Sequence, residues 1–67
     1  MHIYINNKEK VVDADVTLQN TLENNNIFDF RGIAIAVNDI VIPKREWSNH
    51  PIRENDRILI IRATQGG

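Results

Sequence analysis

Residues 55–67 read "NDRILIIRATQGG", and the run inside them, Arg57–Ile61, decides the fold. Side chains alternate between the two faces of a strand, so Ile58 and Ile60 share one face while Leu59 and Ile61 share the other. A strand that is apolar on both faces belongs at the centre of a sheet rather than at its edge. Asn55-Asp56 in front of it is a turn pair, because asparagine tolerates positive φ. Behind it come two glycines, which add neither core nor helix and give the backbone maximal freedom.

Working outward, "HIYIN" at the start alternates in the same way. Ile3 and Ile5 face one side, and His2, Tyr4 and Asn6 the other. Asn6-Asn7 is a tight-turn pair, and Val11 and Val12 mark a short returning strand, so the chain opens with a hairpin. In "DVTLQNTLENNN", Thr17 can cap a helix of about 8 to 10 residues. Leu18 and Leu22 then share a face with Thr21 beside them, and the asparagine triplet ends the helix near residue 25. "RGIAIAVND" is a second alternation, with Ile33, Ile35 and Val37 on one side and Ala34 and Ala36 on the other. Asn38-Asp39 is another turn, and "IVIP" is a short strand that Pro43 ends or confines to an edge. "KREWSNHPIREND" is irregular, with Trp47 and Ile52 as its core candidates.

The order is therefore β-β-α-β-β with short pieces before the last strand. This predicts an α+β fold with a mixed four- to five-stranded sheet and one main helix packed on one face. A single helix covers one face only. The other face then carries Tyr4, Leu59 and Ile61 in a patch without an internal partner, the usual mark of a protein interaction site.

Sixty-seven residues make one domain; residues 1–63 form it and residues 64–67 a flexible tail. Without cysteine there are no disulfides, thiolate nucleophiles or cysteine metal sites. His2 and His50, far apart in sequence, are read as surface residues rather than ligands, so no metal is expected. Eight basic residues against nine acidic ones give no electrostatic reason to bind nucleic acid. No apolar stretch approaches the ~20 residues of a membrane span, and the N-terminus lacks a signal-peptide pattern. A cytoplasmic protein, monomeric when free, is expected. Glu46, Glu54 and Asp56 serve solubility and turns, and Trp47 seals one end of the core. No phosphate loop or nucleophile elbow occurs, so no catalytic residue is expected in this chain.

The terminus remains as the group with distinctive chemistry. A terminal carboxylate is ionised at neutral pH and is a poor acyl donor. Chemistry on it requires activation, most simply as a mixed anhydride with AMP. Glycines without Cβ atoms can thread a narrow channel to reach a nucleotide held by another protein.

Four stretches together resemble the small sulfur carrier proteins of thiamine biosynthesis, the ThiS family, which have the ubiquitin-like β-grasp fold. They are "MHIYINNK", "TLQNTL", "RGIAIAVNDIVIPKREW" and "NDRILIIRATQGG". The third is the most specific, joining strand, turn, "IP", a basic residue and Trp47 in the family's order. Asn6-Asn7 stands where the family usually has Asn-Gly, and Asn55-Asp56 where it has Gly-Asp. Leu59 stands where relatives often place acidic residues. The resemblance implies that an E1-like adenylyltransferase uses ATP and Mg²⁺ to adenylate Gly67, with no cofactor bound by this chain. A sulfur donor such as a cysteine desulfurase then supplies a C-terminal thiocarboxylate, and thiazole synthase consumes it. In that scheme Gly66 and Gln65 provide reach, and Tyr4, Leu59 and Ile61 dock the partner. The small subunit of molybdopterin synthase also ends in Gly-Gly on this fold, but the tail approach "IIRATQGG" has no proline, which favours the thiamine carrier. A protein modifier joined through Gly67 to lysines, and a β-grasp binding module with an idle tail, are the other readings.

Overall fold

The computed structural model describes residues 1–63. Two hairpins, one helix and a final strand build it: β1 (His2–Ile5), β2 (Lys8–Val11), α1 (Leu18–Asn24), β3 (Ile33–Val37), β4 (Ile40–Val41) and β5 (Arg57–Arg62). The five strands form one sheet in the order β2-β1-β5-β3-β4. Strand β5 is central, as its two-faced apolar pattern predicts. It runs parallel to β1, with Tyr4 opposite Arg57 and Ile5 opposite Ile58, and antiparallel to β3. The sheet is therefore mixed, and its first and last strands lie side by side at the middle.

Both hairpins turn through two residues of positive φ, Asn6 (50°) with Asn7 (70°) and Asn38 (51°) with Asp39 (71°). That twist matches the right-handed twist of the strands they join. Every non-glycine residue with positive φ among the described residues is an Asn or Asp, so this chain uses the short polar side chains where glycine is the commoner choice.

Helix α1 is closed at both ends by its own sequence. Thr17 Oγ1 accepts from Asn20 N–H at 3.1 Å, and Asn20 Oδ1 accepts from Thr17 N–H at 3.0 Å, a reciprocal capping box. At the other end Asn26 takes φ 63°. Its N–H reaches Glu23 O and that of Ile27 reaches Leu22 O, both at 3.0 Å, which is the Schellman arrangement with asparagine in the glycine position. The helix stops where the asparagine triplet predicts, with Asn25 as its C-cap, and is 7 residues long against the expected 8 to 10.

Leu18, Thr21 and Leu22 are buried as their shared face requires, and the two leucines pack with Ile3, Ile5, Ile35, Val37 and Ile58 on one side of the sheet. Thr21 Oγ1 donates to Thr17 O at 3.1 Å, which makes a buried hydroxyl tolerable. The segment after β4, irregular by its pattern, holds one turn of 3-10 helix at Lys44–Glu46. It delivers Trp47, 2% exposed, into the core. The indole N–H donates to Ile42 O at 2.8 Å, and Phe30 meets the ring edge-on at 5.5 Å. The returning strand β2 stops at Val11, which is exposed, while Val12 beyond it is half-buried against the core.

Candidate functional site

Since Ile5 and Ile58 are paired and buried, Tyr4 and Arg57 must point to the opposite face of the sheet, and the alternation carries the rest. From β2 to β4 that face presents Glu9 and Val11, His2 and Tyr4, then Arg57, Leu59 and Ile61, then Ala34 and Ala36, then Val41. Four of the six exposed large apolar residues lie here: Val11 (75%), Val41 (67%), Leu59 (46%) and Ile61 (47%). Ala36 pairs with Leu59 and Ala34 with Ile61, so the two larger side chains stand beside a low alanine floor. Tyr4, Leu59 and Ile61 thus share one uncovered face. Val11, Val41 and Arg57 were not singled out from the pattern, although Arg57 lies two residues before Leu59 and follows its alternation.

The polar end of the face is organised by His2. Its Nε2 lies 3.8 Å from Glu9 and its Nδ1 3.5 Å from Glu54. Its backbone N–H donates to Glu54 Oε1 at 3.0 Å. The two ring nitrogens face different carboxylates, so they do not converge on one point. No group of three His, Cys, Asp or Glu side chains suited to a metal ion occurs among the described residues, and no helix among them is long and apolar enough to cross a membrane.

The other acidic candidates divide. Glu46 lies at the surface beside Arg45. Asp56 is only 9% exposed, which corrects its reading as a solubilising residue; its part in a turn stands. One carboxylate oxygen accepts from Asn38 Nδ2 at 3.0 Å and the other from Arg53 N–H at 2.8 Å. Asn38 Oδ1 in turn accepts from Arg57 N–H at 3.0 Å. Asp56 thereby ties the β3–β4 turn to the start of β5. His50 is half-exposed in a shallow groove of about 310 Å³ with Ile40, Pro51 and Arg53.

Where β5 leaves the sheet, Ala63 N–H donates to Gly32 O at 2.7 Å. Gly32 has φ 70°, a conformation that costs glycine little. The chain's exit is therefore held at the end of the central strand, beside Ile61. The predicted tail residues Gln65, Gly66 and Gly67 lie outside the described residues.

The model of the ThiS family matches residues 3–67. The sulfur carrier protein ThiS of Escherichia coli strain K12 is 30% identical over 69 aligned positions, covering all of both chains. The crystal structure of a thiamine biosynthesis protein (ThiS) from Geobacter metallireducens superposes with a TM-score of 0.84 at 16% identity over the whole of both chains. A solution NMR structure from the same organism gives 0.79 at 16% identity, covering all of this chain and 88% of that one. At that identity the structural likeness is one of fold: the ubiquitin-like β-grasp.

Proposed function

The chain belongs to the ThiS family, and from that premise we propose that it carries sulfur for thiamine biosynthesis on the carboxylate of Gly67. The observation that carries this reading is the family match, which spans residues 3–67. The protein is a co-substrate, and the nucleotide chemistry belongs to its partner.

The Gly67 carboxylate attacks the α-phosphorus of ATP, held with Mg²⁺ on an E1-like adenylyltransferase, and pyrophosphate leaves. The resulting acyl-adenylate is an activated carbonyl. A persulfide sulfur delivered from a cysteine desulfurase or a similar donor displaces AMP to give an acyl disulfide. Attack of a second thiol on its outer sulfur releases the thiocarboxylate and leaves a disulfide on the donor side. Thiazole synthase then takes the sulfur into the thiazole ring. Gly66 and Gln65 give the carboxylate its reach, and the two terminal glycines, without Cβ atoms, let it enter a narrow site.

The open face supplies the docking surface. Leu59 and Ile61 lie on β5, the strand that leads into the tail, so a partner seated on them is placed beside the segment it must receive. Tyr4 borders the same patch.

Intact-protein mass spectrometry tests this. The chain is incubated with ATP, Mg²⁺, the adenylyltransferase of the same genome and a sulfur donor, with a chain lacking Gly67 alongside. A gain equal to one oxygen replaced by sulfur, localised to Gly67 and absent from the shortened chain, is expected. No gain with an enzyme shown to be active on another carrier would overturn the reading. Reconstitution with thiazole synthase, against a molybdopterin synthase large subunit, separates the two pathways.

A further inference from the structure

Arg57 begins β5 on the open face, in register with Tyr4 and two residues before Leu59. Its side chain is exposed and makes no ion pair among the described residues. Four acidic residues lie near it in the chain or across the sheet. Glu9 is across Tyr4 and faces His2, and Glu54 also faces His2. Asp39 borders the adjoining hollow, and Asp56 is turned inward to Asn38 and Arg53; none pairs with the guanidinium. Tyr4, Asn7, Asn55 and Arg57 line a shallow depression at this end of the face. All four of those side chains carry hydrogen-bond donors, and none is a carboxylate.

A partner that covers Leu59 also covers Arg57, because two residues of strand span only about 7 Å. Removing a guanidinium from water without a counter-charge is costly, whereas a carboxylate can meet it bidentately. We propose that the surface which covers this face presents a carboxylate to Arg57, seated in the Tyr4–Asn7–Asn55 depression and flanked by apolar side chains that rest on Leu59 and Ile61. The proposal rests on the reading that this face docks the adenylating enzyme. Arg57 and Arg62 stand at opposite ends of β5, about 17 Å apart at strand spacing. The ion pair is therefore remote from the tail's exit, and Arg57 acts as a positioning residue that fixes how the carrier sits.

The test measures association and dissociation of the full chain on the adenylyltransferase of the same genome by surface plasmon resonance. Arg57→Glu, Arg57→Lys and Leu59→Ser are compared with the unchanged protein, and circular dichroism verifies each fold. An ion pair buried in an interface acts on dissociation, and an exposed steering charge acts on association. Arg57→Glu is expected to weaken binding about tenfold or more, mainly through faster dissociation, with Arg57→Lys restoring part of it. Wild-type binding by Arg57→Glu, or a loss confined to association, would overturn the ion pair while weakening by Leu59→Ser keeps the docking face. If Leu59→Ser also binds as the unchanged protein does, or that protein does not bind at all, the docking face fails with it.

Discussion

The side-chain oxygen of Asn6 accepts a hydrogen bond from the Ile60 N–H at 2.8 Å, 54 positions away in the chain. Strand β1 ends at Ile5, whose register partner is Ile58. Asn6 N–H still reaches Ile58 O at 2.9 Å. The next donor on β5 would have no strand beside it, and the amide of a turn residue takes the place of the missing backbone. One side chain thus shapes the first hairpin and lengthens the central pairing.

This makes the two asparagines of the turn unequal. Asn6→Ala loses both the bond to Ile60 and the tolerance for φ 50°, and should cost about 1–2 kcal/mol in urea unfolding. Asn7 has φ 70° and no side-chain hydrogen bond among the described residues, so Asn7→Gly should change stability by no more than about 0.5 kcal/mol. Equal effects of the two changes would refute the asymmetry.

Trp47 closes the core through its ring and through its N–H to Ile42 O. Trp47→Phe keeps most of the apolar volume and leaves that buried carbonyl without its donor, so a loss of about 1–3 kcal/mol is expected. Trp47→Ala adds a cavity and should cost about 3–5 kcal/mol, close to the whole stability of so small a domain. Thermal unfolding followed by circular dichroism measures both. A Phe variant melting with the unchanged protein would mean the indole bond contributes nothing.

Asp56 uses each of its oxygens as an acceptor. Asp56→Asn keeps the shape but turns one acceptor into a donor, facing either Arg53 N–H or Asn38 Nδ2. About 1–3 kcal/mol should be lost, with faster amide exchange at Arg53 and Arg57. Unchanged exchange at those two amides would rule out the proposed link between the turns.

The strands were legible because their burial is one-sided or, for β5, two-sided, and alternation writes both patterns into neighbouring residues. Thr17 and the Asn pairs were legible for a related reason, since a helix cap and the positive φ of a turn are set by the few residues around them. Asp56 was not. An acidic residue beside a turn reads as exposed, and what permits its burial is Asn38, 18 positions away. The asparagine triplet marked the end of the helix as locally as Thr17 marked its start, since Asn25 caps it and Asn26 supplies the left-handed residue that follows. On the open face, the parity of Leu59 and Ile61 pointed the right way. The isolation of Arg57 depends on which carboxylates reach it across three strands, and spacing along the chain does not encode that.

Asp29 offers a prediction in acid. The Arg31 side chain, hydrogen-bonded to its carboxylate, and the Arg31 N–H bring the Asp29 pKa down from 3.8 to about 2. The folded value lies below the unfolded one, so the contribution to stability is present above about pH 4 and disappears as the pH falls toward 2. Arg31→Ala keeps the N–H and removes the guanidinium. Carboxyl NMR titration should therefore find the Asp29 midpoint moved back upward, though short of 3.8. Salt should move the unchanged protein in the same direction, because the pair is exposed. A midpoint unaffected by the substitution would assign the shift to the backbone alone.

Two changes separate what the tail does from what the face does. Among the described residues the core cluster and its packed neighbours lie at or before Ile60, and terminal glycines carry no side chain to bury, so deleting Gly66 and Gly67 should leave urea stability within about 0.5 kcal/mol. The shortened chain should still bind the adenylating enzyme, because the open face is intact, yet form no thiocarboxylate. Leu59→Ser with Ile61→Ser is the converse. These side chains are about half exposed, so the fold persists, while docking should weaken about tenfold or more once their apolar area no longer reaches the partner. At saturating enzyme the double variant should still be adenylated on Gly67, which the deleted chain never is. A doubly substituted chain that docks normally would move the interface off this sheet, and a shortened chain that accepts sulfur would remove the role of the terminal glycine.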